Sequence, residues 1–184
     1  MSGRKLLILD LNGTLVLRSR CRVRSLLAHV ELPTSGMWMY ERSGLYYFLG
    51  QCFAKYDVGI YSSCTKHNGL AILKALGLTT SNFAFTWFRT ECVSTGHSYD
   101  THKILDFVYN TLGTYGCKYG NHNTIIVDDS PDKHVYNNPE NVVIVPELKI
   151  EDNAVHGDDC LTDLLNTLDD RYSKLAKNHQ AKSS

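Results

Sequence analysis

Apolar positions in this chain fall into two patterns. Short unbroken blocks, Leu6–Leu9, Val58-Gly-Ile-Tyr61, Ile125-Ile-Val127 and Val142–Val145, read as strands. A strand covered on both faces loses the in-and-out alternation of a half-exposed one. Between the blocks, apolar residues recur at three- and four-residue spacing, the stripe of a helix packed on a core. One such stripe is Leu45, Phe48, Leu49, Cys52 and Phe53, with Ser43 placed as its N-cap. The spacing predicts further helices over Thr65 to Leu76 (Leu70, Leu73 and Leu76 inward, Gly77 as the C′ residue), His102 to Leu112, and Leu161 to Leu175. Gly69 is a weak helix former inside the Thr65 to Leu76 helix. Phe83 to Phe88 reads as an aromatic strand, and Met37-Trp-Met-Tyr40 as a hairpin partner for the segment before it. Strands alternating with helices predict an α/β fold, a parallel sheet with right-handed crossovers. One domain over residues 1–176 and a disordered polar tail over 177–184 account for the chain.

Composition narrows the class. With 184 residues and 43% hydrophobic content the chain can bury a full core. Nineteen basic and nineteen acidic side chains cancel, so no overall field draws nucleic acid or an anionic membrane. The segment Arg18-Ser-Arg20-Cys-Arg22-Val-Arg24 puts arginines at period two, which on a strand gives one cationic face. Its simpler reading is a solvated edge strand, its sharper one a phosphate-facing strip. Six cysteines, at 21, 52, 64, 92, 117 and 160, show no CxxC pair and fit reduced thiols in a cytoplasmic or nuclear protein. The apolar run behind Arg4 and Lys5 is too short for a signal peptide, and no stretch is long enough to span a bilayer. Cys92, His97, His102 and Cys117 match no compact zinc spacing and are set aside as a zinc site.

The chemistry lies where strands end in acid. Leu6–Leu9 runs into Asp10, and Ile125–Val127 runs into Asp128-Asp129-Ser130-Pro131. Both ends fall on the carboxyl edge of the predicted sheet, where ligands bind in open α/β folds. Alone, Asp-Asp-Ser-Pro reads equally well as a turn. Together, the two strand ends gather three carboxylates, costly unless a cation compensates them, and an all-oxygen set completed by phosphate suits Mg²⁺.

Asp10-Leu-Asn12-Gly-Thr14-Leu-Val16 resembles motif I of the haloacid dehalogenase-like superfamily, and specifically the Asp-Leu-Asp-Glu-Thr-Leu-Val of its FCP1/SCP-like (NLI-interacting factor) branch. Arg42-Ser-Gly-Leu45, Val58-Gly-Ile-Tyr-Ser62-Ser63, Phe88-Arg89-Thr-Glu-Cys92 and Ile125-Ile-Val-Asp128-Asp129-Ser-Pro131 are similar, in order, to that branch's later motifs. The resemblance covers about Lys5 to Leu175. It implies a Rossmann-like haloacid dehalogenase fold with small β insertions. It also implies a Mg²⁺-dependent phosphatase acting on phosphorylated protein, including segments like the carboxy-terminal domain of RNA polymerase II. Carried over, Asp10 is the nucleophile, and Mg²⁺ is held by Asp10, the main chain of Asn12, and Asp128 or Asp129. Ser62 hydrogen-bonds the phosphoryl group. Lys103, with Lys118 as its rival, neutralises the phosphoryl oxygens, and Thr14, Ser63 and Arg89 line the substrate side. Without the resemblance, Ser62 reads as a helix cap and Arg89 as an arginine snorkelling between aromatics.

Residue 12 departs from the pattern. The family's second Asp protonates the leaving oxygen and then activates water, and the Asn12 amide titrates for neither step. Loss of such acid–base help costs about 10²–10⁴-fold in rate. Two functions therefore stay open: a weakened phosphatase, and a pseudophosphatase that binds phosphorylated segments or protein partners without turnover. His67 is a further, weaker candidate for the missing acid.

Overall fold

The computed structural model describes residues 4–23, 29–32, 36–96, 100–116, 118–151, 154–155 and 158–182. In chain order the strands are β1 (Leu6–Leu9), β2 (Val16–Ser19), β3 (His29–Leu32), β4 (Met37–Glu41), β5 (Asp57–Tyr61), β6 (Phe85–Trp87), β7 (Val93–Ser94), β8 (Thr101–His102), β9 (Thr124–Asp128), β10 (Val142–Ile144), β11 (Ile150–Glu151) and β12 (Ala154–Val155). The helices are α1 (Leu45–Lys55), α2 (Lys66–Ala75), α3 (Leu105–Gly113) and α4 (Cys160–Lys182). The central sheet has five parallel strands in the order β10-β9-β1-β5-β6.

β1 lies in the middle of that sheet, which explains its unbroken apolar run. Leu7 and Leu9 face one core cluster with α1, α2 and α4, while Leu6 and Ile8 face a second with Leu105, Val108 and Leu112 of α3. All four residues are buried. Burying a side chain of this size contributes about 1.5–3 kcal/mol, so the two-sided cover fixes β1 firmly at the centre. Tyr172 of α4 ties the helix layer to the sheet by donating its hydroxyl to the Leu6 carbonyl at 2.7 Å.

Several local expectations are corrected. The N-cap of α1 is Gly44, at φ 72°, rather than Ser43, and it makes no side-chain cap bond. Leu70 on α2 is exposed, and the buried positions of that helix are Gly69, Ile72 and Leu73. Gly69 is there because the Phe88 ring lies against it: a Cβ would sit 1.9 Å from Phe88 Cε1. α3 starts at Leu105, since residues 101–102 are taken by β8. α4 continues through Lys182, so the tail predicted as disordered is helical across residues 177–182. Residues 183–184 lie outside the described residues.

Beside the main sheet stands a three-stranded insertion in the order β2-β4-β3. Met37–Tyr40 does pair with the segment after motif I, but β3 intervenes in sequence, so the pair is no hairpin. β2 stops at Ser19, which removes the period-two arginine face. Arg18 is in the strand, Arg20 and Arg22 are exposed beyond it, and Arg24 lies outside the described residues. Arg22 stacks over Trp38 with its guanidinium carbon 4.9 Å from the ring centre. Among the described residues, no helix is long and apolar enough to cross a membrane.

Candidate active site

Parallel register builds the site. Leu9 pairs with Ile60 of β5 and Val127 of β9, so Asp10 emerges level with the ends of both neighbours. The Asp10 amide donates to the Val127 carbonyl at 3.0 Å, and Asp128 is the last residue of β9. Side-chain oxygens of Asp10, Asp128 and Asp129 all lie within 4.8 Å of one another. They are the one group of this kind among the described residues. Asp10 and Asp128 are buried, and Asp129 is partly exposed at the rim.

Lys103, fully buried, bridges the two interior acids. Its ammonium donates to Asp10 Oδ1 at 2.6 Å and to Asp128 Oδ2. Lys118 is exposed in the loop before β9, so the geometry selects Lys103 as the partner of Asp10. Burial pushes the Asp10 carboxyl above its usual range against the pull of Lys103, and the Asp128 charge adds to the rise. Burial works the same way on Asp128, but there Lys103 and then His134 prevail and hold the carboxyl well below the usual range. Burial opposes the charge on Lys103, and the two carboxylates outweigh it and raise its pKa. Two neighbouring acids are thereby driven apart, a common arrangement where groups have different chemical tasks.

The loops around these residues are locked to one another. Gly13 takes φ 90° after Asn12, and a Cβ there would meet the Asp129 carboxylate at 2.7 Å, so this turn requires glycine. Thr14, fully buried, donates to Asp129 Oδ1 at 3.0 Å, and Ser130 donates to Asp129 Oδ2 at 3.1 Å. The Thr14 hydroxyl is thus spent on Asp129. Asn12 Oδ1 accepts from the Arg18 amide at 3.0 Å, tying the side chain to the start of the insertion. Arg42 is buried, donates to the Gly13 carbonyl at 3.2 Å and to the Cys160 sulfur at 2.9 Å, and braces the motif I turn from behind.

On the β5 side, Ser62 is buried at the strand end, with its amide bound to the Trp87 carbonyl at 3.0 Å. Ser63 is half-buried, and Arg89 Nε donates to its carbonyl at 2.8 Å, so Arg89 steadies this loop through the main chain. His67 is exposed on α2. Of the set-aside zinc residues, Cys92 donates to the Phe88 and Ser62 carbonyls, and His102 Nδ1 lies 3.2 Å from the Asp132 carbonyl. His97 and Cys117 lie outside the described residues.

Sequence reasoning missed His134 and Asn137. Buried His134 places Nε2 3.0 Å from Asp128 Oδ2, while its Nδ1 lies 3.0 Å from the Asn137 amide nitrogen. An amide NH₂ can only donate, so Nδ1 accepts and Nε2 carries a proton; that nitrogen lies close to Asp128 as a charge neighbour but outside hydrogen-bond geometry. The same Asn137 nitrogen donates to the Lys103 carbonyl at 2.7 Å, and its Oδ1 accepts from the Leu105 amide at 2.9 Å. A lone histidine and asparagine beyond a Ser-Pro turn carry no periodic signal that would have found them.

Comparison with known proteins places this geometry. The profile of the NLI interacting factor-like phosphatases (NIF) matches residues 5–179. The chain belongs to that family. It is 34% identical over 148 residues to an uncharacterised FCP1 homology domain-containing protein of Schizosaccharomyces pombe. That match covers 73% of this chain and 59% of its relative. Two solved structures of Fcp1, an RNA polymerase II CTD phosphatase, one of them the fission yeast R271A protein bound to beryllium fluoride, superpose with TM-scores of 0.58. They are 18% and 19% identical, and the alignments cover 97% of this chain and 55% and 53% of theirs. An uncharacterised protein from Listeria monocytogenes serotype 4b superposes with TM-score 0.55 at 16% identity, over 92% of this chain and 99% of its own. The central parallel sheet and these neighbours give the α/β, haloacid dehalogenase-like fold of the NIF family.

Proposed function

We propose that this member of the family is a Mg²⁺-dependent phosphoprotein phosphatase working through an aspartyl-phosphate on Asp10, slowed by Asn12. The observation that carries the reading is the buried Asp10–Lys103–Asp128 triad at the carboxyl edge of the sheet, with Asp129 beside it. Lys103 holds Asp10 Oδ1, and Oδ2 has no hydrogen-bond donor among the described residues, which suits it to attack phosphorus. As the Oδ2–P bond forms, the bond from phosphorus to the ester oxygen breaks, and the departing alkoxide takes a proton from water. Water then attacks the aspartyl-phosphate, releasing inorganic phosphate and restoring the carboxylate.

The residues present fit a divalent cation. Three carboxylates face one ammonium, which leaves negative charge uncompensated among hard oxygen donors. Asp10, Asp128, Asp129 and the main-chain carbonyl of Asn12 would hold Mg²⁺. Bound there, the ion supplies charge that offsets the phosphoryl oxygens and keeps Asp10 ionised. Ser62 and Ser63 border the phosphoryl group on the β5 side, and Arg89 acts on that side through Ser63. The family and the Fcp1 neighbours support a phosphorylated protein segment, such as that of the polymerase tail, as the substrate class.

A second reading is favoured by one contact. The Asn12 amide is bound to the Arg18 main chain and supplies no titrating proton, so a protein that binds phosphorylated partners without turnover fits the same site. Hydrolysis of p-nitrophenyl phosphate with Mg²⁺ separates the two. The phosphatase reading expects slow turnover by the wild type, at least a roughly tenfold gain for Asn12→Asp, and none for Asp10→Asn. Silence from all three proteins selects the binding reading.

A further inference from the structure

Arg18 differs from the other arginines around the site. Arg42 is spent on Gly13, Cys160 and Pro146, Arg89 on Ser63, Arg4 on Asp57, and Arg22 on the Trp38 ring. The Arg18 guanidinium has no hydrogen bond and no carboxylate within ion-pair reach among the described residues. Its Nε and Nη1 are nonetheless shielded from solvent. A guanidinium with two of its nitrogens kept from water and no anion beside them carries a cost, which falls when an oxyanion arrives.

Its position points to the active site. β2 places Arg18 opposite Met39, on the face shared with buried Val16 and turned toward the main core. The bond from its amide to Asn12 Oδ1 fixes it against the motif I turn. Arg18 is therefore anchored beside the motif I turn that carries Asp10 and Asn12.

We propose that Arg18 is a substrate-recognition residue whose guanidinium receives the oxygens of a phosphate-monoester dianion. The proposal rests on the phosphate-site reading above and names the insertion as the source of its outer cation. Arginine suits the task because its planar fork pairs with phosphate oxygens and stays charged at any working pH.

The test is equilibrium binding in the presence of Mg²⁺, with inorganic phosphate and a singly phosphorylated serine peptide as probes. Wild type, Arg18→Gln, Arg18→Lys and Arg20→Gln are titrated calorimetrically. Charge-assisted hydrogen bonds of this kind predict that Arg18→Gln weakens both probes by about 10- to 100-fold. Arg18→Lys recovers part of the loss, and exposed Arg20→Gln binds as wild type. Arg18→Gln also melts at or above the wild-type temperature, because it removes an unpartnered charge. In turnover assays the same variant raises KM while kcat stays within about threefold. Unchanged binding by Arg18→Gln overturns the proposal. So does a loss confined to the peptide, which would mean that the guanidinium reads the chain around the phosphate. Binding lost in Arg18→Gln from a wild type without turnover sustains the proposal and sinks the phosphatase reading. Turnover with KM unchanged in Arg18→Gln does the reverse, and a wild type that binds neither probe overturns both.

Discussion

Replacing Lys103 by Met keeps most of the unbranched stem and removes the one ammonium between Asp10 and Asp128. All three side chains are at most 2% exposed, so water does not take over its role. Breaking a buried pair from one side costs about 3–5 kcal/mol, and 1 kcal/mol shifts the melting temperature of a chain this size by about 2–4 °C. The variant should therefore melt about 6–20 °C below wild type at pH 7.5 without divalent metal. The deficit should depend on pH with a definite sign. Without Lys103, burial and mutual repulsion raise both carboxyl pKa values in the folded state. Such groups stabilise the fold below their unfolded pKa and lose that contribution as pH rises through the folded value. The gap to wild type should accordingly narrow toward pH 5 and widen toward pH 8. Adding Asp10→Asn removes one of the two charges and should recover part of the loss. Thermal melts by circular dichroism across that range measure all of this. A deficit under about 2 °C at pH 7.5, or one flat with pH, would refute the triad as the electrostatic centre of the site.

Two further outcomes test the supporting structure. Gly69→Ala puts a methyl into the Phe88 ring and should cost about 1–3 kcal/mol, despite alanine's better helix propensity; a stabilised variant in urea melts would show that the ring does not pack there. Asp169, held below its ordinary pKa by hydrogen bonds from Lys55 and then Tyr56, clamps α4 to α1. Its contribution is present above the ordinary carboxyl range near about 4 and fades as pH falls through the folded value. Because Asp169 is exposed, Asp169→Asn should cost no more than about 1 kcal/mol at pH 7, and its melting temperature should converge on wild type in acid; a gap that grows in acid would contradict the clamp.

What the sequence determined by itself is what short-range pattern can carry. β1, β5, β9 and β10 are legible because burial on both faces leaves an unbroken apolar run. The strand-ending acids are legible because parallel strands share one carboxyl edge, so Asp10 and Asp128 had to meet. The family is legible because its motifs recur in order at fitting distances. Tertiary structure decided everything that depends on approach between distant segments. It chose Lys103 over Lys118, since neither lysine's neighbours reveal which ammonium threads between two carboxylates far away in sequence. It divided the Asp128-Asp129 pair into an interior acid bound to Lys103 and close to His134, and a rim acid held by Thr14 and Ser130. It exposed Leu70 and buried Gly69, because Phe88 arrives from outside the helix whose periodicity was being read. It also broke the arginine strip apart. Period two promises one shared face only while the strand lasts, and β2 ends at Ser19, leaving Arg18 in the strand and Arg20 and Arg22 exposed beyond it.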